Sequence, residues 1–339
     1  MSSQLTYQKF IQNRQVLGKI LPLDMPLSIQ IQVTNLCNFK CYYCITSQSL
    51  EKRREAGLLL QHMPLEDYLR CIDSIAKAGG VKVLNLVGWG EPLLHPDIVN
   101  MVQYAKKKLP YSLVRIVTNG SLLTHDLSDK LIEAGLDNLR VSVQGVSEQE
   151  YKDYSNIEID FSGFLENLKY FYDHRKRSTI SLKIMDVAVK DKEDKFLNIF
   201  SPICDEYMVD SLTETNNLIN FHGHGSNLDK TFLGGDFVDT SICSTSFFRG
   251  FIDVDSQLFA CCHLPVKYKF GDVRNNFFDV WNGKSHIQFL LNMLRNGIDS
   301  FPGCSGCKMY LNQMLSTDRL DDYRDDLICK YQFLLENSK

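Results

Sequence analysis

Apolar runs rich in β-branched residues alternate with segments of helical spacing from residue 27 to residue 210. The strand-like runs cover 27–33, 81–87, 112–118, 139–143, 180–187 and 206–209, and the helical segments cover 64–78, 98–108, 127–135, 161–174 and 192–202. Because strands that alternate with helices favour a parallel sheet with right-handed crossovers, the pattern predicts an α/β fold. Six such units predict a partial (β/α)6 TIM-like barrel, with the active-site loops at the carboxyl ends of its strands.

A cysteine-rich loop follows the first predicted strand. Cys37, Cys41 and Cys44 stand in the run CNFKCYYC, and three thiolates can ligate three irons of a four-iron, four-sulfur cluster while the fourth iron stays open. A zinc site is the alternative, but it needs a fourth nitrogen or sulfur ligand, and none is adjacent. Disulfide bonds cannot pair all three cysteines. The loop therefore predicts an iron–sulfur cluster with one open iron.

The next motif is GWGEP, residues 88–92, which follows the second predicted strand and places glycine backbone and a carboxylate after it. Together with CNFKCYYC, this motif resembles the radical SAM family. The resemblance implies that the open iron binds the amine and the carboxylate of S-adenosyl-L-methionine (SAM). It also implies that an electron from the cluster cleaves SAM, and that the resulting 5′-deoxyadenosyl radical takes hydrogen from a substrate.

The same resemblance implies residues that bind SAM at the strand ends. The Glu91 carboxylate and the glycine before it would hold the methionine amine, with Trp89 in place of the usual first glycine of the motif. Gln144 stands where the family commonly carries an acid. Ordinary alternatives are core packing for Tyr43 and a turn after Thr118. The full cofactor-binding set implied by the resemblance is Tyr43, Gly90, Glu91, Thr118, Asn119, Ser142 and Gln144.

A second set of cysteines lies near the end of the chain, and it consists of Cys243, Cys261, Cys304 and Cys307. Four thiolates can fully ligate another four-iron cluster. A structural zinc ribbon is the alternative, because it also combines separated cysteines with a CxxC pair. The layout resembles the Twitch auxiliary domain of radical SAM enzymes, a shortened SPASM-like domain. The resemblance implies one auxiliary cluster, and hence two 4Fe-4S clusters in the chain.

Cys262 is adjacent to a predicted ligand and is not needed for ligation. Neighbouring residues of a β-hairpin point to opposite sides, so its thiol could face away from the cluster and toward substrate. A thiol there could return a hydrogen atom to a substrate radical, which makes Cys262 a candidate catalytic residue. The structural alternative is a small buried hydrophobic side chain.

These motifs and the composition of the intervening segments divide the chain into five parts. They are an N-terminal segment 1–26, the partial barrel 27–210, a polar linker 211–239, the auxiliary cluster domain 240–316 and a C-terminal helix 317–339.

The charge balance bears on partners and location. There are 37 Lys and Arg against 41 Asp and Glu, a net charge of −4, so no basic excess points to nucleic acid or an anionic membrane. No stretch approaches the roughly 20 apolar residues of a membrane span, and the N-terminus does not resemble a secretion signal. We expect a cytoplasmic protein with a small polar metabolite as substrate and a flavodoxin or ferredoxin-type reductant.

The auxiliary cysteine spacing is similar to that of the deoxy-scyllo-inosamine dehydrogenase family. The resemblance implies oxidation of a sugar or cyclitol-like substrate to a ketone, with the auxiliary cluster accepting an electron. A radical SAM epimerase with Cys262 as hydrogen donor is the first alternative. Peptide modification is the second, although only about two dozen residues precede the first predicted strand.

Overall fold

One sheet of nine strands underlies the computed structural model, which describes residues 14–213, 219, 231, 236–262 and 268–337. The strands are β1 (Ser28–Ile31), β2 (Val83–Leu86), β3 (Leu113–Thr118), β4 (Asn138–Val143), β5 (Thr179–Met185), β6 (Glu206–Asp210), β7 (Arg249–Ile252), β8 (Gln257–Phe259) and β9 (Lys269–Asp272). They lie in the order β6-β5-β4-β3-β2-β1-β7-β8-β9. All neighbours from β6 to β7 pair in parallel, and β8 and β9 continue antiparallel.

The α-helices of the described part are α1 (Leu17–Ile20), α2 (Leu50–Glu55), α3 (Leu65–Lys77), α4 (Ile98–Lys108), α5 (His125–Glu133), α6 (Glu148–Ser155), α7 (Phe161–His174), α8 (Asp186–Val189), α9 (Glu193–Phe200), α10 (Thr245–Phe248), α11 (Phe277–Trp281), α12 (Lys284–Asn296), α13 (Met309–Gln313) and α14 (Arg324–Asn337). Short 3-10 helices cover Ile45–Ser47, Pro92–Leu94, Ser201–Ile203, Ile298–Ser300, Ser316–Asp318 and Asp321–Tyr323. None of these helices is long and apolar enough to cross a membrane.

The two faces of the parallel strands carry different side chains. On β3, Val114 and Ile116 are fully buried and belong to the same core cluster as Met101 of α4 and Leu131 of α5. Because side chains alternate along a strand, Arg115 lies on the opposite face, away from these helices. The apolar face of the sheet thus packs against the helices, and polar side chains such as Arg115 lie on the inner face of the partial barrel.

The predicted α/β fold class, a partial barrel with an additional C-terminal cluster unit, is confirmed. The sheet does not close, since β6 and β9 are its two edges. The helices predicted over 98–108 and 161–174 occur over those residues. Helix α6 was missed because its sequence, EQEYKDYS, is polar, and only Tyr151 and Ser155 of it are buried.

The C-terminal unit joins the same sheet instead of forming a separate one. Ser28 of β1 aligns with Val83 of β2 on one side and with Arg249 of β7 on the other. Helices α12 and α14 pack over a second core that includes Leu290, Leu294 and Tyr331. The five-part division of the chain stays a prediction, and most of the predicted linker, 214–218, 220–230 and 232–235, lies outside the described residues.

Truncation of the core face should show how much the helix layer contributes to stability. Ile116 is 0% exposed, so Ile116→Ala should lower the free energy of unfolding by about 2–5 kcal/mol. Tyr111 is 99% exposed, so Tyr111→Ala is the control and should change it by less than about 0.5 kcal/mol. Urea denaturation measures both values, and equal losses in the two variants would contradict this assignment of the core.

Candidate functional site

The GWGEP turn packs directly against the backbone at the start of the cysteine loop. A Cβ atom added to Gly90 would lie 2.3 Å from the carbonyl oxygen of Thr34 and 2.7 Å from that of Leu36, so only glycine allows this approach. The backbone N–H of Glu91 donates to the Leu36 carbonyl at 2.8 Å. The two motifs that follow β1 and β2 therefore form one unit.

Glu91 connects this unit to the end of β3. Its buried carboxylate accepts hydrogen bonds from the Thr118 hydroxyl and the Asn119 N–H, both at 2.6 Å, and from the Leu93 N–H at 2.9 Å. Burial raises the pKa of Glu91 to about 7, against the lowering effect of these three donors. In this structure the carboxylate holds the strand ends together, so its predicted contact with SAM stays a prediction.

Asn119 in turn connects β3 to the cysteine loop. Its amide nitrogen donates to the side-chain oxygen of Asn38 at 2.9 Å, and the Asn38 amide donates to the Ser121 hydroxyl at 2.9 Å. Asn38 lies inside the CNFKCYYC run but was not among the predicted residues. The sequence signal that could have identified Asn38 was its position between the predicted ligands Cys37 and Cys41.

Gln144, which follows β4, connects that strand to the cysteine loop. Its side-chain oxygen accepts hydrogen bonds from the Tyr43 hydroxyl and from the Cys41 thiol, the latter at 3.6 Å. Its amide nitrogen donates to the Ser142 carbonyl at 2.8 Å. The structure thus brings all seven predicted SAM residues to one edge of the sheet, beside the first cysteine set.

The first cysteine set has the chemistry of an iron–sulfur site. Burial is the main reason that the pKa of Cys37 is raised to about 12, and the neighbouring Glu91 and Cys44 contribute in the same direction. The pKa of Cys41 is raised well above its usual value by burial, then by Cys44 and Cys37. Bound iron would favour the thiolate forms, because a cation stabilises the negative charge that burial and the neighbouring thiols disfavour. Cys37, Cys41 and Cys44 therefore fit a cluster and would be the residues that hold it.

The second set is brought together by the C-terminal unit. Cys243, Cys261, Cys304 and Cys307 all pack against the core under α12 and α14. Burial is the main reason that the pKa of Cys304 is raised to about 12, and Cys243 and Cys307 contribute in the same direction. Four thiols packed against one apolar core fit the donor set of a fully ligated cluster.

All eleven cysteines lie in the described part of the chain, and none of them forms a disulfide bond. Across the described residues, no three His, Cys, Asp or Glu side chains lie close enough together to hold a single metal ion. A four-iron cluster binds differently, because each thiolate ligates an iron of its own.

A cavity of about 350 Å³ lies between the GWGEP turn and the auxiliary hairpin. Its wall is formed by Gln32, Asn35, Ala56, Gly57, Leu58, Leu59, Trp89, Phe251, Asp253, Asp255, Phe259, Cys261, Cys262 and Lys269. The Trp89 indole N–H donates to the Cys262 carbonyl oxygen at 3.0 Å and joins the GWGEP turn to the auxiliary hairpin. Cys262 also lies near Cys307 and raises the pKa of the Cys307 thiol. This effect is smaller than that of burial, which raises the same pKa, and than those of two backbone hydrogen bonds, which lower it.

Two carboxyl groups on the cavity wall were missed by sequence reasoning. Asp253 Oδ1 accepts the backbone N–H groups of Asp255 and Gln257, both at 3.2 Å. Burial is the main reason that the pKa of Asp253 is raised to about 8, and the neighbouring Asp255 contributes in the same direction. Asp255 also forms an ion pair with Lys269 at 3.4 Å. The sequence signal was the pair of acids in IDVDSQ, which reads equally well as an ordinary turn.

Two family models match the chain. Residues 31–197 match the radical SAM superfamily model, and residues 243–308 match the SPASM model of an iron–sulfur cluster-binding domain. The first range contains Cys37, Cys41 and Cys44 with the GWGEP turn, and the second contains the four auxiliary cysteines.

Relatives and solved structures agree with these matches. A probable GTP 3′,8-cyclase of Saccharolobus islandicus is 34% identical over 145 residues, or 43% of each chain, so the match spans less than half of that relative's length. BtrN in complex with AdoMet and 2-DOIA has a TM-score of 0.55 at 17% identity, over 84% of this chain and 93% of that one. Streptococcus suis SuiB bound to precursor peptide SuiA has a TM-score of 0.54 at 17% identity, over 87% and 72%. At these identities the two structures show a shared fold.

Iron content should report both cysteine sets. If each set holds a four-iron cluster, the reconstituted protein should contain about eight irons, and replacing Cys37, Cys41 and Cys44 with alanine should leave about four. The exposed Cys329 serves as control, since Cys329→Ala should keep the full iron content. Elemental analysis that finds zinc in place of the remaining iron would refute the auxiliary cluster.

Replacement of Glu91 should loosen the SAM site while sparing iron. Glu91→Ala leaves the Thr118 hydroxyl and the Asn119 N–H without their acceptor, so SAM affinity should fall by roughly ten- to hundredfold. 5′-Deoxyadenosine formation should slow in parallel. The exposed Glu133 provides the control Glu133→Ala, and equal SAM affinity in the two variants, measured by equilibrium dialysis, would show that the motif is misplaced.

Proposed function

Because this chain is a radical SAM enzyme with an auxiliary SPASM-type iron–sulfur domain, we propose that it oxidises a small polar substrate, sugar or cyclitol-like, to a ketone. When bound and reduced, the first cluster and SAM supply the 5′-deoxyadenosyl radical that removes a hydrogen atom from the carbinol carbon. A base would then take the hydroxyl proton, and the auxiliary cluster that Cys243, Cys261, Cys304 and Cys307 would hold would accept the remaining electron.

The observation that carries this proposal is the shared cavity. Cys261, a predicted auxiliary ligand, lines the same 350 Å³ space as Trp89 of the GWGEP turn. A substrate held there would contact both Trp89, which precedes the predicted SAM residues Gly90 and Glu91, and Cys261, so an electron would have a short path from the carbon radical to the auxiliary cluster. The volume suits a metabolite, because small-molecule pockets run to about 300–1,000 Å³.

The cavity wall also offers a proton acceptor. Asp253 and Asp255 both line the cavity, and burial brings the pKa of Asp253 to about 8. The Asp253 carboxyl can accept a substrate proton in its ionised form, which predominates above about pH 8. We assign the removal of the hydroxyl proton to this pair of carboxyl groups.

Epimerisation is the second proposal, and the position of Cys262 favours it. This thiol-bearing residue lines the cavity beside Cys261. In an epimerase the same hydrogen abstraction would occur, and the Cys262 thiol would return a hydrogen atom to the opposite face of the carbon. The product would then keep the mass of the substrate, whereas oxidation removes two hydrogens.

Replacement of Cys262 distinguishes the two reactions. Under the proposed oxidation, Cys262→Ala should keep its iron and still form a ketone, since no hydrogen donor is required. Product mass spectrometry of strictly anaerobic reactions, with sugars, aminocyclitols and peptides as substrates, measures the outcome. The exposed Cys329 again gives the control, Cys329→Ala.

A different result would favour the epimerase. In that case the wild-type product would have an unchanged oxidation state and would gain one deuterium in heavy water. Cys262→Ala would still make 5′-deoxyadenosine but would no longer form the epimer.

A further inference from the structure

Three cationic side chains occupy the inner face of the partial barrel on adjacent strands. They are Arg115 on β3, Arg140 on β4 and Lys183 on β5. Arg115 aligns with Asn138 and Arg140 with Ser181, while Lys183 aligns with Ser142. Each cation therefore stands two residues nearer the carboxyl end of the sheet than the previous one, and the row leads to Ser142 at the rim.

The three cations differ in how their charge is balanced. Lys183 forms an ion pair with Asp210 at 2.6 Å, whereas neither arginine has an ion pair with a carboxylate in the described part of the chain. Glu206 is the other carboxylate that attracts Arg140; it is exposed on the edge strand β6 and aligns with Ser181, on the same face as Arg140. The inner face thus carries these three cations against the carboxylates of Asp210 and Glu206, and neither carboxylate lies within ion-pair distance of an arginine.

Most hydrogen-bond donors of these arginines are also unused. Arg115 donates from Nε to Asn138 at 2.7 Å and from Nη1 to Asn85 at 3.3 Å, both neutral amides. Arg140 makes one hydrogen bond, from Nε to the Ser181 hydroxyl at 3.4 Å. A guanidinium group has five N–H donors in a planar fork that matches a carboxylate or a phosphate.

Two arginines side by side repel each other, and Glu206 on the edge strand offsets this repulsion in part. Burial is the main reason that the pKa of Arg115 is lowered to about 10, and the neighbouring Arg140 contributes in the same direction. Both residues are only partly buried, so the inner face at these positions is open in part to solvent. An anion bound there would offset both the mutual repulsion and the loss of hydration.

We propose that Arg140, supported by Arg115, binds an anionic group of the substrate on the inner face of the sheet. This inference rests on the proposed function, because it places the substrate against the strands that carry the SAM residues, and it narrows the substrate class. The substrate is a polar metabolite that carries a phosphate or a carboxylate group.

The test uses the reconstituted full-length protein and two simple probes, inorganic phosphate and acetate, against chloride at equal ionic strength. Phosphate or acetate should raise the melting temperature of the wild type, because a ligand bound to the folded state stabilises it. Arg140→Gln should abolish this shift, and Arg140→Lys should keep part of it. The exposed Arg177 gives the control Arg177→Gln, which should behave like the wild type. Whichever probe gives the larger shift identifies the anionic group.

Two measurements keep this result separate from other causes. Iron content and circular dichroism show whether Arg140→Gln folds, and Arg115→Gln, with a weaker shift expected, serves if it does not. SAM affinity should change less than about twofold in Arg140→Gln, since about tenfold or more is expected where a charge-assisted bond is lost. A tenfold loss of SAM affinity would assign the arginine to SAM and overturn the proposal.

The absence of any shift in the wild type with either anion would also overturn it. That failure is distinct from failure of the proposed function. A wild type that forms a ketone but binds neither anion would disprove the subsite alone, whereas anion binding without oxidation of any tested substrate would disprove the oxidation alone.

Discussion

The parallel pairing of β1 with both β2 and β7 is the interaction on which the rest of the site depends. Backbone hydrogen bonds on both sides of one short strand bring the first cysteine loop, the GWGEP turn and the auxiliary hairpin to neighbouring positions. Without β7 beside β1, the four C-terminal cysteines would have no fixed place relative to the first three. The cavity follows from this pairing, because its wall combines the loops after β1 and β2 with the β7–β8 hairpin.

Buried polar contacts then fix the motifs relative to one another. Glu91 accepts three hydrogen bonds where water is excluded, and Gln144 binds both Tyr43 and Cys41. Hydrogen bonds to a buried carboxylate are stronger than those between neutral groups, so these contacts hold the motifs in fixed positions. On the inner face below the rim, Arg140 has no carboxylate within ion-pair distance among the described residues, although Glu206 and Asp210 attract it from farther away. The buried contacts thus hold the rim in place for a cofactor, and the proposed anion would bind on the inner face.

Sequence reasoning recovered what local pattern encodes. Helix periodicity placed 98–108 and 161–174 where they occur, and cysteine spacing identified both thiol sets. Long-range contacts were not accessible in this way: Trp89 reaches Cys262 across 173 positions, and no local periodicity reports that distance. Arg140 was overlooked because a single charged residue within an apolar strand is easily taken for an interruption of the apolar pattern. In a parallel strand it marks the inner face, since the other face is covered by helices.

The central claim is that both cysteine sets hold an iron–sulfur cluster, and that the parallel pairing of β7 with β1 brings the two clusters to the same edge of one sheet. Anomalous diffraction from crystals of the reconstituted protein, recorded above and below the iron and zinc absorption edges, tests it most directly. Two iron peaks are expected, one against Cys37, Cys41 and Cys44 and one against Cys243, Cys261, Cys304 and Cys307. A zinc peak at the second set, or an iron peak at the first set alone, would contradict the account.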